Sequence, residues 1–466
     1  MKLNRIMLAA PKSGSGKTML TCALVQTLKN QGEQVVSYKC GPDYIDPMFH
    51  KQVLGVPAKN LDTFFTGEEV TRELFLKNRS EDDFVVMEGV MGLFDGLGGI
   101  REEGSSYQLA KITKTPIILV VDAKGMGYSI LPLIAGFLQY DPEHLIKGVL
   151  LNRMSKSYYE ILAPKIEEEL GIQVVGYFPN CKELHIESRH LGLVMPNEME
   201  QIQEQLDRAS KELECSVSLE KIKNISGQAE ELEGTEKTGS TEQIEYPMEQ
   251  PVIAVAMDEA FCFYYDDNLE MLREYGAKLC MFSPIHDRKL PDCDAILFGG
   301  GYPELYAQQL SENTAMREAI REAFSKGMPM VAECGGFMYL HRSITDQDGK
   351  TFPMAGVLDG ECTYRGKLVR FGYIALKESN TVTNRWLNGG TIKAHEFHYF
   401  DSSDNGAGCV ATKPTTGRTY TCVKADESHW FGFPHLYYPS NPSFAKCFVE
   451  KADNYRKHFY GKCGMP

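Results

Sequence analysis

Six short runs in the first half of the chain are almost continuously apolar and β-branched, and they limit the fold more than any other feature. They are RIMLAA (Arg5 to Ala10), QVVSYK (Gln34 to Lys39), FVVMEG (Phe84 to Gly89), PIILVVDA (Pro116 to Ala123), GVLLNR (Gly148 to Arg153) and QVVGYF (Gln173 to Phe178). A strand with one wet face alternates apolar and polar residues, whereas a run without alternation is covered on both faces. Helix-like segments separate the runs. The first half therefore predicts a doubly wound α/β domain around a parallel sheet.

A second α/β alternation follows, with PVIAVAMD (Pro251 to Asp258), AKLCMF (Ala277 to Phe282), DAILFGGG (Asp294 to Gly301) and MPMVAECGG (Met328 to Gly336). Beyond Ala355 the pattern is more β-rich and less regular. Met199, Ile202, Leu206, Ala209 and Leu213 recur at helical steps and predict one amphipathic helix over Glu198 to Leu219. The segment Asn224 to Gln250 is rich in Glu, Gly, Ser and Thr and reads as an acidic, flexible linker. The expected layout is a domain over 1–222, a linker over 223–250, a second domain over 251–450 and a tail over 451–466.

With 466 residues the chain exceeds one compact core. Its net charge of −14 and lack of a long basic run argue against a nucleic-acid or anionic-membrane partner. The 13 cysteines form no C-x-x-C pair, there is no signal-peptide pattern, and no apolar run approaches ~18 residues. The expectation is a cytoplasmic protein with reduced thiols.

The first run leads into PKSGSGKTML, a near match to the phosphate-loop pattern G-x-x-x-x-G-K-[ST], with Pro11 where that pattern has its first glycine. Strand, glycine loop and helix follow in the order such a loop needs. The N–H groups of Gly14, Ser15 and Gly16 would cradle phosphate at a helix N-terminus. Lys17 would reach the β- and γ-phosphates of ATP, and the Thr18 hydroxyl would bind Mg²⁺. That ion needs further oxygen ligands. CGPDYIDPMFH supplies Asp43 and Asp46 after the second run, and VVMEGVMGLFDGLGG supplies Glu88 and Asp95 after the third. In doubly wound sheets the ligand lies beyond the carboxyl ends of the strands, where these acids would converge. Asp122 is a weaker candidate at the same edge. Asn152 suits either an adenine contact or a structural turn.

In the second half, VAECGGFMYL sets Cys334 between an apolar strand and a helix-like run, with Gly335 and Gly336 permitting a sharp elbow. A helix N-terminus favours the thiolate, the form that attacks. LFGGGYPE places Gly299, Gly300 and Gly301 after another strand, where their N–H groups could face an oxyanion. Four of the 11 histidines, His395, His398, His429 and His435, are candidate bases in the C-terminal part. His435 follows a plausible short strand.

ILFGGGYPE, VAECGGFMYL and a C-terminal histidine resemble a glutamine amidotransferase domain with a cysteine nucleophile. Together with YKCGPDYIDPMFH, NLDTF, MEGVMGLFDG, ESRHLGLV and AHEFHYF, which run in order through nearly the whole chain, they resemble the cobyrinate a,c-diamide synthase family. The resemblance implies a P-loop NTPase domain of dethiobiotin-synthetase type followed by a class I glutamine amidotransferase domain. It implies ATP and Mg²⁺ as cofactors, and L-glutamine and cobyrinate or a related tetrapyrrole as substrates. Carboxylates would be phosphorylated in the first domain and amidated with ammonia released in the second. Lys17, Thr18, Asp43, Asp46, Glu88 and Asp95 would serve ATP, metal and carboxylate. Cys334 would form a glutamyl thioester, and His435 would raise its reactivity. Tyr437 stands where many relatives of the wider class carry a glutamate. Arg189 and His190 offer contacts to an anionic tetrapyrrole or nucleotide, with loop packing as the alternative. Two other readings stay open: a sister amidase acting on nickel-sirohydrochlorin or hydrogenobyrinate, and a partition-type ATPase. In the latter, Lys12, five residues before Lys17, would touch phosphate across a homodimer.

Overall fold

The computed structural model describes residues 1–181, 196–233, 250–379 and 385–462. They divide into two compact units, Met1–Thr238 and Gly239–Pro466.

In the first unit, β1 (Asn4–Ala9), β2 (Gln34–Cys40), β3 (Ala58–Leu61), β4 (Asp83–Glu88), β5 (Ile117–Asp122), β6 (Ile146–Asn152) and β7 (Gln173–Phe178) form one sheet. The order is β3-β2-β4-β1-β5-β6-β7, and every pairing is parallel. Ile118, Leu119, Val120 and Val121 in β5 are fully buried. Both faces are therefore covered, as the unbroken apolar runs require. The register sets Glu88 opposite both Leu8 and Lys39. The carboxyl ends of β1, β2 and β4 thus share one edge.

Helix Pro196–Ser216 packs on α1 (Lys17–Asn30) through buried Leu206, Ala209 and Leu213 and a Thr27–Ser210 hydroxyl contact of 2.9 Å. The structure departs from the linker expected over 223–250. Helix Leu219–Ser226 continues the unit, Ile225, Ala229 and Leu232 are buried, and the Leu232 N–H donates to the Met1 carbonyl at 3.1 Å. A few apolar residues at packing intervals dock a stretch whose average composition is acidic and polar.

In the second unit, β8 (Val252–Ala256), β9 (Lys278–Phe282), β10 (Ala295–Phe298) and β11 (Met330–Glu333) pair in parallel as β9-β8-β10-β11. Strand His429–Gly432 extends this sheet beside β11. A five-stranded antiparallel sheet contains strands Arg370–Glu378, Thr391–His398 and His435–Leu436. Trp386, Trp430, Phe444 and Phe448 lie in the core between these layers. Helix Ser443–Lys462 carries the last two and runs on through residue 450 with Ala452 fully buried, so the segment from 451 begins as a continuation of that helix and not as a tail. No helix of the described residues is long and apolar enough to cross a membrane. Every described cysteine is a free thiol.

Candidate active site

The glycine loop of the first unit turns on two left-handed residues, Gly14 (φ 76) and Gly16 (φ 87), before α1 begins at Lys17. Its backbone is braced from β6. Asn152 Nδ2 donates to the Ser15 carbonyl at 2.8 Å, and Arg153 Nη2 donates to the Gly14 carbonyl at 3.0 Å. Arg153 also pairs with Asp122 at 2.8 Å. Asn152 therefore supports the loop, and Asp122 anchors the brace. A β-carbon on Gly16 would lie 2.3 Å from Asn152 Nδ2, so that approach requires glycine.

Lys17 Nζ donates to the Met91 carbonyl at 2.6 Å and to the Lys12 carbonyl at 3.4 Å. The Lys12 side chain is exposed. Asp95 accepts from the Gly92 N–H at 2.9 Å and holds the turn that supplies Met91. It shapes the loop after β4.

The remaining acids do converge. Thr18 Oγ1 donates to Glu88 Oε1 at 2.5 Å. Lys39 Nζ, buried, meets Glu88 Oε1 at 2.7 Å and Asp46 Oδ2 at 2.5 Å. Burial and the neighbouring Asp46 charge push the Asp43 carboxyl up to about 6. Sequence reasoning missed Lys39. The signal was present: a lysine inside a strand covered on both faces must be paired with acids. His50 was missed as well; it bridges Ser37 Oγ (2.8 Å) and Cys22 Sγ (3.5 Å) and faces Glu88 at 3.9 Å.

Glu88 Oε2 is buried without a hydrogen-bond partner and lies 3.9 Å from His50 Nε2, while Thr18, Asp43 and Asp46 add hard oxygens to the same cluster. That donor set fits Mg²⁺. Among the described residues no three His, Cys, Asp or Glu side chains form a ready-made metal cage. This agrees with an ion held by one or two protein oxygens and completed by phosphate and water. Arg189 and His190 lie outside the described residues.

In the second unit, Cys334 sits at φ 44, ψ −104, between β11 and helix Gly335–Leu340. A non-glycine residue rarely takes this conformation, and such strain aims a side chain away from the strand. The Cys334 N–H is fixed to the Gly432 carbonyl at 2.8 Å. Gly336 allows the helix to close on β10, where a β-carbon would come 2.5 Å from Phe298 Cβ. Burial, then the charge of Glu304, raises the Cys334 thiol well above its ordinary range. The resting side chain is a protected thiol.

The glycine loop after β10 lies against both the Cys334 elbow and His435. A β-carbon on Gly335 would stand 3.0 Å from Gly301 N, and one on Gly300 would stand 2.3 Å from His435 Cε1. Burial holds His435 well below its ordinary value, so it is a neutral proton acceptor. It pairs in register with His395, and their rings stack at 4.8 Å and 16°. Gly299 differs from expectation. Its N–H donates to the Tyr264 hydroxyl at 2.7 Å, so Gly301 and Gly335, not Gly299, have N–H groups beside the elbow. His429 pairs with Asp426 and opens its strand beside Met330, at the far end from Cys334. Tyr437 donates to Asp267 at 2.8 Å. Glu333, next to the nucleophile and raised to about 8 by burial, accepts from the Leu436 N–H at 3.3 Å. It ties the elbow to the His435 strand and was not apparent from sequence.

The two sites together define a glutamine amidotransferase fused to a P-loop nucleotide-binding domain. Residues 6–194 match the family described as CobQ/CobB/MinD/ParA nucleotide binding domain, and residues 252–430 match the CobB/CobQ-like glutamine amidotransferase domain. A cobyrinate a,c-diamide synthase of Listeria innocua is 40% identical over 85% of this chain and 87% of its own. Its counterpart from Caldanaerobacter subterraneus is 37% identical over 96% and 98%. That of Picrophilus torridus is 36% identical over 97% and 100%. The chain belongs to the cobyrinate a,c-diamide synthase family of glutamine-dependent amidotransferase ligases.

Proposed function

We propose that the chain uses ATP and glutamine to amidate the a- and c-acetate carboxylates of cobyrinate, in cobalamin biosynthesis, through acyl-phosphate intermediates. The observation that carries this is the pairing, in one chain, of a phosphate loop beside Glu88, Asp43 and Asp46 with a strained Cys334 and a buried His435 that flank one glycine loop.

A carboxylate resists amines because it is a poor electrophile with a poor leaving group, and phosphorylation corrects both. Lys17 exchanges its carbonyl acceptors for phosphate oxygens and offsets charge as the γ-phosphoryl group moves. Thr18, Glu88 and Asp43 would hold Mg²⁺, which supplies charge neutralisation at the phosphates. Lys39 offsets the charge of Glu88 and Asp46 and holds the two acids on one edge. In the second unit the Cys334 sulfur attacks the glutamine carboxamide carbon while its proton passes to His435. The Gly301 and Gly335 N–H groups stabilise the oxyanion. Collapse breaks the C–N bond, the nitrogen takes the proton from His435, and ammonia leaves a thioester that water hydrolyses to glutamate. Generating ammonia inside the protein keeps it unprotonated and nucleophilic.

The test is mass spectrometry of products formed with ATP, Mg²⁺ and glutamine from a panel containing cobyrinate, hydrogenobyrinate and nickel-sirohydrochlorin. Conversion of two carboxylates of cobyrinate to carboxamides supports the assignment. Amidation of another tetrapyrrole alone moves the substrate, and no amidation of any of them refutes the activity.

A further inference from the structure

The strand that carries the proton acceptor is only two residues long, His435–Leu436. On one side it pairs with strand Thr391–His398, His395 opposite His435 and Ala394 opposite Leu436. Its other side is held by side chains. Asn268 Nδ2, on helix Asp266–Glu274, donates to the Leu436 carbonyl at 2.8 Å. The Tyr438 N–H donates to Asn268 Oδ1 at 2.8 Å. The Leu436 N–H donates to Glu333 Oε2 at 3.3 Å, and the Tyr438 hydroxyl to Glu333 Oε1 at 3.5 Å. So short a ladder has few hydrogen bonds of its own, and these clamps set where the His435 ring stands.

Glu333 differs from Asn268 in place and in chemistry. It ends β11 directly before Cys334, so one side chain spans the nucleophile strand and the acceptor strand. It is 5% exposed, and both its contacts are with neutral donors. A buried carboxylate needs a cation or several N–H donors. With two long contacts Glu333 rests as the neutral acid, raised to about 8 by burial. The groups around it titrate elsewhere or not at all near neutrality. Its charge acts on the Cys334 thiol and on the Tyr264 and Tyr438 hydroxyls, all three held above their ordinary values by burial. Glu304 and Glu396 act on the same thiol, and Asp258 and Cys262 act on Tyr264. Asp267, on helix Asp266–Glu274, takes the Tyr437 hydroxyl.

We infer that Glu333 is a positioning residue for the glutaminase: its carboxyl group holds the His435 strand at the Cys334 elbow and must stay uncharged while the thiol proton moves to His435. The inference rests on the proposal that Cys334 hydrolyses glutamine. A charge on Glu333 opposes both the thiolate and the oxyanion that follows it. The test follows ammonia release from glutamine across pH with the full chain. Wild-type kcat should fall as pH rises through about 8. Glu333→Gln keeps a neutral acceptor of the same shape, so it should retain the wild-type kcat below that point and lose the fall. Glu333→Ala strips the Leu436 N–H of its acceptor and lets the ring drift, so kcat should drop by about 100-fold with KM for glutamine unchanged. A fall that survives in Glu333→Gln overturns the inference, as does Glu333→Ala with the wild-type kcat or Glu333→Gln as slow as Glu333→Ala. Should Glu333→Ala not fold, Tyr438→Phe takes its place. The Tyr438 hydroxyl favours the charged form of Glu333, so its loss should move the fall to higher pH, and an unmoved fall overturns the inference. Wild-type chain that releases no Cys334-dependent ammonia from glutamine overturns the underlying reading instead, and is seen before any variant is made.

Discussion

Gly300→Ala tests the geometry of the glutaminase site without touching either reacting residue. Gly300 is not among the residues with positive φ, so alanine meets no backbone strain there. The new β-carbon would lie 2.3 Å from His435 Cε1 and 3.0 Å from Nδ1. Ordinary contact begins near 3.4 Å, so the ring retreats by about 1 Å, and a misplacement of that size costs about 100-fold in rate. This corresponds to about 2.7 kcal/mol of transition-state stabilisation. The assay is glutamine-dependent ammonia release, run beside ammonium-driven amidation in the same preparation. The first should fall about 100-fold and the second should not change. Full glutamine hydrolysis by folded Gly300→Ala would refute the placement of His435 as proton acceptor.

Cys334→Ser should abolish glutamine use yet leave amidation with added ammonium salts, measured as amide formation from each nitrogen source. Lys17→Ala should abolish amidation from both sources, because the proposed phosphoryl step needs its ammonium; undiminished turnover removes Lys17 from that role. The Asp43 carboxyl, near 6 in the fold, stays protonated in acid and cannot ligate a cation. The apparent Mg²⁺ affinity in ammonium-driven amidation should therefore strengthen as pH rises through about 6, and Asp43→Asn should flatten that dependence. The same shift means that the fold favours the protonated carboxyl, a stabilisation lost as pH rises from the ordinary 3.8 towards about 6. Gly136→Ala, in helix Ile130–Gln139 with open space around the new methyl group, should raise stability by about 1 kcal/mol in denaturant melts.

The parallel sheets were legible because their central strands are short, apolar and covered on both faces, and that demand is written residue by residue. Strand β3 was not: Ala58–Leu61 carries Lys59 and Asn60 in only four residues, and it is recruited by pairing with β2, not by its own pattern. The antiparallel layers after Ala355 were obscured for a similar reason. Strand Leu358–Tyr364 has only Cys362 buried, so neither alternation nor a continuous run marks it.

At the sites, residues whose chemistry is intrinsic to their motif stood out, as with Lys17, Thr18, Glu88 and Cys334. Those defined by long-range partners did not. Glu333 and Lys39 occur inside apolar strands, and their role emerges once the register sets Lys39 against Glu88 and brings Glu333 to the Leu436 N–H. Gly299 shows the converse. Its motif suggested an oxyanion donor, but Tyr264, remote in sequence, claims that N–H.

The central claim is that ammonia freed at Cys334 becomes the amide nitrogen of a carboxylate activated beside Lys17. The direct measurement uses glutamine labelled with heavy nitrogen in its carboxamide, in the presence of unlabelled ammonium, with mass spectrometry of the amidated cobyrinate. The account predicts labelled amides from the wild-type chain and unlabelled amides from Cys334→Ser. Labelled amides from Cys334→Ser, or amides from the wild-type chain that carry no label, would contradict it.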